Sequence, residues 1–451
     1  MPWKVKKINL VVASYIFYAA WNPPFVILLW ISTMVDWFAA RAMGSTNSGN
    51  KRKALLGLSL FTNLGLLAFF KYGGFLLLNF QALANSLGFT YAPAPFEIFL
   101  PVGISFYTFQ TLSYTIDVYR GNLKPASSLL DFAFFVAFFP QLVAGPIVRA
   151  ADLLPQCERR PLISITHIGW GFVLIIIGLF EKIVMADGLF APVVDRIYNS
   201  NIAPGFIDAW TGTMAFSGQI FCDFAGYSTC AIGVGMVLGF ALPDNFRFPY
   251  AAVGFRDFWR RWHISLSTWL RDYLYISLGG NRRGAARMYF ALIATMLLGG
   301  LWHGAAWTFV IWGALHGFYL VAERLSAGLS RGIKIFATTP ARFVGAIITY
   351  LLVCVAWVFF RAQSFGFAIS VIRSMIGLNG FGATIISARD SLLCIAIVVC
   401  MLVSQWCMRN TTTEEAVKKV PSWLLALILA VAIVLIFTAP GGDRAFIYFQ
   451  F

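Results

Sequence analysis

From Met288 to Ala322 the chain runs 35 residues without an Asp, Glu, Lys or Arg. As one helix rising about 1.5 Å per residue it would be about 52 Å long, well beyond a hydrocarbon core of roughly 30 Å. Such a stretch has to turn back inside lipid, and the expected break is at Gly299-Gly300, with a second span ending near Glu323. The rest of the chain agrees: 59% of its 451 residues are hydrophobic and 12% are charged, against roughly 25% charged in a soluble domain. With a mean hydropathy of +0.76, the apolar side chains exceed what soluble cores could bury. The expected fold class is therefore all-α, a polytopic integral membrane protein of about ten or eleven spans, forming a single integrated domain over residues 1–451.

Lys and Arg outnumber Asp and Glu by 34 to 19. The excess gathers between apolar runs, at Lys4, Lys6 and Lys7, at Lys51, Arg52 and Lys53, and from Arg256 to Arg287, as cytoplasmic loops do. Nucleic acid is therefore not an expected partner; the lipid bilayer is. Seven cysteines, none in a C-x-x-C pair, mostly sit inside apolar runs and read as small lipid- or core-facing residues, with no structural metal or disulfide framework expected. The basic start before Ile8 resembles a secretory signal, but the apolar stretch continues through Pro23-Pro24 to Ala40. An uncleaved hairpin with both ends cytoplasmic is expected.

Further runs lie at Ala54 to Phe70, Phe75 to Leu87, Phe96 to Ile116, Leu129 to Val148, Ile168 to Phe180, Ile207 to Cys222, Phe224 to Leu242, Phe343 to Phe360, Ser391 to Met408 and Trp423 to Ala439. Two of them carry helix breakers at membrane depth, Leu100-Pro101-Val102-Gly103 and Phe139-Pro140 to Gly145-Pro146. Backbone freed by such breakers must be satisfied by protein or by a water-filled cavity, so both are expected to be re-entrant or pore-lining.

Chemistry concentrates in residues 217–317. Phe255, Phe258, Trp259, Trp262, Leu266, Trp269, Leu270 and Tyr273 share one helical face, with Arg256, Arg260, His263, Ser267 and Arg271 on the other. That pattern fits an amphipathic helix in the interface or over a cavity. Arg282 and Arg283 follow closely, so Arg260, Arg261, Arg271, Arg282 and Arg283 are expected to hold the phosphates of a ligand, since guanidinium forks fit phosphate oxygens. Within the apolar run stands Trp302-His303-Gly304. An ionisable group there is costly and reads as functional; a histidine titrating near neutrality suits a general base. The neighbouring glycines would let a substrate approach it. His316 is a weaker candidate, His167 an interfacial one. Asp223 reads as a buried carboxylate, with structural pairing and orientation of an acceptor both open. G-x-S-x-G, Walker A and H-E-x-x-H patterns are absent.

The string Asp257-Phe258-Trp259-Arg260-Arg261-Trp262-His263-Ile264-Ser265-Leu266-Ser267, followed by Gly279 to Arg282 and Gly300 to Gly304, resembles the membrane-bound O-acyltransferase family. Phe70-Lys71-Tyr72, Leu100 to Tyr107, Tyr114 to Arg120 and Ala144-Gly145-Pro146 extend the likeness over most of the chain. The likeness implies helices around a central funnel or tunnel, with His303 as the essential base and His263 as its assistant. It places Asp223, Trp262, Trp302 and His316 along the tunnel. It also implies acetyl drawn from a cytoplasmic thioester, acetyl-CoA as co-substrate with no permanently bound cofactor. The acetyl would go to an extracytoplasmic polysaccharide such as alginate, or to a partner acetyltransferase outside the bacterial inner membrane. Two departures stand out. The chain starts at what resembles the family's second hydrophobic segment, and the family's Phe-Ser-Gly-Tyr-Ser-Asp reads Phe224-Ala225-Gly226-Tyr227-Ser228-Thr229. D-alanyl transfer to teichoic acid and peptidoglycan acetylation are the alternatives within the family. A proton-coupled polysaccharide transporter and a purely structural subunit are those outside it.

Overall fold

The computed structural model describes residues 2–92, 99–200, 202–329, 338–381, 384–439 and 444–447; the start of the run from Phe96 and much of the C-terminal tail lie outside them. Seven helices among these residues are long and apolar enough to cross a membrane: Pro23–Gly44, Gly49–Ser86, Ile165–Tyr198, Phe206–Leu238, Gly284–His303, Thr339–Arg361 and Ala388–Met408. Their outward side chains include Phe61, Leu78, Phe172 and Leu392, all more than half exposed, a surface that lipid covers and water would not. The protein is an all-helical, multi-pass membrane protein. Fewer helices reach spanning length than the ten or eleven expected, because several apolar runs fold into shorter helices. Leu129–Ala137 has 9 residues, Ile104–Arg120 and Ser422–Thr438 have 17 each.

Packing divides the chain into two compact units, Met1–Gly171 with Val234–Pro243, and Phe172–Gly233 with Asp244–Phe451. In the first, Trp3–Ala19 and Val26–Gly44 form the expected N-terminal hairpin, Tyr15 stacking on Trp30 at 5.5 Å. Asp36, fully buried, accepts from Ser59 Oγ at 2.5 Å and Asn63 Nδ2 at 2.9 Å, and Ser32 donates to Asn63 at 2.6 Å. This side-chain ladder joins neighbouring helices where no water is available. The two breaker segments meet each other. Gly103, at φ +75°, caps Ile104–Arg120, and a Cβ on it would lie 2.6 Å from the Leu142 carbonyl. Gln110 and Gln141 both donate to the Phe135 carbonyl, at 3.1 and 2.7 Å, so the interrupted backbone is satisfied by protein.

The second unit holds the pair Gly284–His303 and Trp307–Leu329. The helix runs straight through Gly299-Gly300, where a break was expected, and ends at His303; the chain turns at Gly304 to Ala306. Those glycines serve helix packing instead of substrate approach. A Cβ on Gly300 would strike the Phe309 carbonyl and lie 3.1 Å from Gly313 Cα. Gly300→Val is therefore expected to cost about 1–3 kcal/mol and lower the thermal midpoint in detergent. Gly366→Ala, whose Cβ meets nothing within 4 Å, should leave the midpoint in place, and equal midpoints for the two variants would contradict the close approach.

Candidate active site

The segment 255–275, outside the seven spans, is not the single amphipathic helix its spacing suggests. It consists of Phe255–Trp259, a turn, Ile264–Trp269, and a π-helical stretch Leu270–Tyr275. The turn is made by His263 itself, whose φ of 42° and ψ of 56° are left-handed, a conformation that costs a non-glycine residue about 1–3 kcal/mol and persists only when its surroundings hold it. Residues 245–247 supply that hold: Arg247 N donates to the Arg261 carbonyl and Ile264 N to the Asn245 carbonyl, both at 2.9 Å. The turn takes His263 off the exposed face that Arg256, Arg260 and Arg271 keep and buries it completely.

Asn245 fixes the ring. Its Nδ2 donates to Ser228 Oγ at 3.1 Å, so its Oδ1 is the acceptor, 3.1 Å from His263 Nδ1 and 2.9 Å from Ser265 Oγ. An amide oxygen only accepts, so Nδ1 carries the proton and Nε2 the lone pair. Phe224 meets the ring edge-on at 4.6 Å. Burial pushes the His263 imidazole down from its usual 6.5 to about 3, which keeps it neutral under ordinary conditions.

His303, 3% exposed, is the last residue of its helix. Its ring lies 5.0 Å from Trp302, 4.9 Å from Trp312 and 5.3 Å from Phe360. Trp302 also lies 6.0 Å from His263, so one indole separates the two histidines. His316, fully buried, sits 4.7 Å from Trp312 and 5.1 Å from Trp259, and neither of its ring nitrogens has a hydrogen-bond partner among the described residues. Trp262 joins through Trp357 at 5.1 Å, and Trp357 lies 6.0 Å from Trp312. The three histidines and both expected tryptophans thus share one aromatic cluster. Asn245, Trp357 and Phe360 were not legible as parts of it. His167 is exposed beside Ser164.

The basic residues do not converge on the histidines. Arg282 and Arg283 are exposed at the start of the 20-residue helix that ends in His303, about 30 Å away along its axis. Arg260 is exposed. Arg261 is committed to structure, donating to Asp257 Oδ1 and to the Arg409 carbonyl, each at 2.8 Å. Arg271 pairs with Asp272 at 2.6 Å and borders a cavity of about 170 Å³, shared with Trp259, Tyr275, Thr295 and Met296. Asp223 is 2% exposed and structurally paired: Lys182 Nζ lies 2.6 Å away, and Ile447 N donates to its Oδ2 at 2.7 Å. Phe446 packs between Phe224 and Tyr227, at 5.6 and 5.2 Å, so Phe446 and Ile447 are part of this core.

Lipid-facing helices and a buried histidine pair mark a multi-pass membrane protein, and comparison with known sequences gives its class. Residues 123–369 match the membrane-bound O-acyltransferase family. A probable alginate O-acetylase of Pseudomonas putida is 43% identical over 385 residues, covering 83% of this chain and 76% of the relative. A peptidoglycan O-acetyltransferase of Helicobacter pylori is 35% identical over 492 residues, covering 99% and 91%. A teichoic acid D-alanyltransferase of Bacillus subtilis is 26% identical over 289 residues, covering 60% and 71%. The chain belongs to the membrane-bound O-acyltransferase family and is an acyltransferase.

His263 gives a pH signature. The unfolded histidine binds a proton below its usual 6.5, whereas the folded one stays neutral to about 3, so protonation between those values favours unfolding. Its contribution is complete above pH 6.5 and lost as pH falls toward 3. Thermal midpoints of purified protein from pH 7.5 down to about 4.5 should fall less steeply for His263→Gln than for wild type; identical slopes would contradict the buried neutral ring.

Proposed function

We propose that the chain takes an acetyl group from a cytoplasmic thioester, acetyl-CoA, and passes it to a hydroxyl of an extracytoplasmic polysaccharide, directly or through a partner acetyltransferase, in the bacterial inner membrane. The observation that carries this reading is the placement of His303. It is a buried imidazole at the end of a membrane-spanning helix, opposite the Arg-rich end. Lys and Arg mark the cytoplasmic side, which puts Arg282, Arg283 and Arg287 there and His303 toward the outer face.

In direct transfer the acceptor hydroxyl gives its proton to His303 as its oxygen attacks the thioester carbonyl. The C–S bond then breaks, and the proton returns to the departing thiolate, leaving an acetyl ester and a free thiol. His263, its Nδ1 tied to Asn245, positions the reacting groups through the Trp302 side of the cluster. On the cytoplasmic side, Arg271 stands at the mouth of the apolar cavity that reaches Trp259, a suitable entry for a thioester arm whose phosphates stay outside among exposed arginines.

Alginate is the acceptor favoured by the identity of the acetylase relatives. Peptidoglycan is a second reading, favoured by a relative that aligns with 99% of the chain. Family membership in acyltransferases argues against the transporter and structural-subunit readings. Inverted membrane vesicles containing the full chain, loaded in the lumen with either alginate or peptidoglycan fragments and any partner acetyltransferase and given isotope-labelled acetyl-CoA outside, decide the matter. Alkali-labile label is expected on alginate. Label on peptidoglycan alone would favour the second reading, and thioester consumption with neither polymer labelled would overturn both.

A further inference from the structure

The second unit has another cavity, of about 560 Å³, on the far side of His303 from the Arg-rich cytoplasmic segment. That volume lies within the range of small-ligand sites. Phe360 is shared, since it lines the cavity and lies 5.3 Å from the His303 ring. The polar wall consists of Asp195, Asn199, Arg361 and Gln363. Arg361 Nη2 donates to Asp195 Oδ1 at 3.0 Å and to Asn199 Oδ1 at 3.2 Å, and its guanidinium lies over Tyr198 at 5.5 Å. Gln363 Nε2 donates to Asn199 Oδ1 at 3.1 Å. Arg444, from the C-terminal residues, donates to the other oxygen of Asp195. One carboxylate is thus shared by two guanidinium groups, and among the described residues this corner of the cavity carries an excess positive charge.

We propose that this cavity is the acceptor subsite and that it takes a carboxylate-bearing sugar chain, the carboxylate held by Arg361. Charge and shape both point that way. A guanidinium has five N–H donors in a planar fork, and Arg361 uses one nitrogen on Asp195 and Asn199. The surplus charge selects an anion, while the amides of Asn199 and Gln363 match sugar hydroxyls. A sugar seated there would have a hydroxyl at Phe360, the residue between cavity and base. Phe360 then decides which hydroxyl reaches His303. The inference rests on the acyltransfer reading above for its purpose, but binding can be measured without transfer.

The test uses the purified full chain in nanodiscs with three probes: an oligouronate, the same oligosaccharide after chemical reduction of its carboxyl groups, and a phosphate-headgroup lipid in the disc as competitor. Tryptophan fluorescence is the readout. The oligouronate is expected to bind about tenfold or more tighter than its reduced counterpart at low salt, the scale of one charge-assisted pair. That preference should vanish in Arg361→Gln and partly return in Arg361→Lys. Equal binding of the two sugars by wild type would overturn the proposal without any variant. So would displacement of the sugar by lipid alone, which would mark a headgroup site. Acetyl transfer by wild type without a carboxylate preference would remove the subsite and leave the acyltransferase reading standing; a clear preference without any transfer would do the reverse.

Discussion

Hydrocarbon offers no hydrogen bonds, and the whole structure answers to that constraint. A polar group taken below the membrane surface is costly unless protein supplies its partner. Asp36 is surrounded by Ser59 and Asn63, the broken backbone at Phe135 is met by two glutamines, and Asp223 is held by Lys182 and the Ile447 amide. The same rule makes the left-handed turn at His263 affordable. Asn245 satisfies the ring and Ser265 together, while the backbone of residues 245–247 holds the turn.

Against that background the histidines have a distinct setting. His303 and His263 flank Trp302, and His316 lies beyond Trp312, all within tryptophan and phenylalanine rings. An aromatic enclosure keeps water away from these rings without placing strong acids or bases beside them. Two cavities border the cluster from opposite sides, one reaching Trp259 beside Arg271 and the other reaching Phe360 beside Arg361. Arg271 and Arg361 line the two cavities, and the histidines lie within the aromatic cluster between them.

Much of this was legible in the residues. Uncharged length gave the helical membrane fold, and the cost of a histidine in an apolar run singled out His303. Family likeness, carried by the string from Asp257 to Ser267, was borne out over residues 123–369. What escaped has physical reasons. Periodicity assumes right-handed helix, so a histidine in the left-handed region leaves no trace in spacing, and the exposed face predicted for His263 became a buried one. Asn245 precedes it by 18 residues, a separation that no local pattern reports. Gly299 and Gly300 looked like a break because glycine weakens a helix, yet close contact with Gly313 and Phe309 uses them as a flat surface. Arg261 counted as a phosphate ligand by residue type alone; Asp257 and the Arg409 carbonyl had already claimed it.

The claim on which the account turns is that His303 moves the proton. Polymer acetyl-ester content in cells carrying His303→Ala, with membrane levels of the variant matched to wild type by immunoblot, tests it most directly. The account expects a loss of about 10²–10⁴-fold in the rate of ester formation, partly restored by added imidazole small enough to enter the vacated aromatic pocket. Acetylation at the wild-type rate, from a variant fully inserted in the membrane, would contradict it.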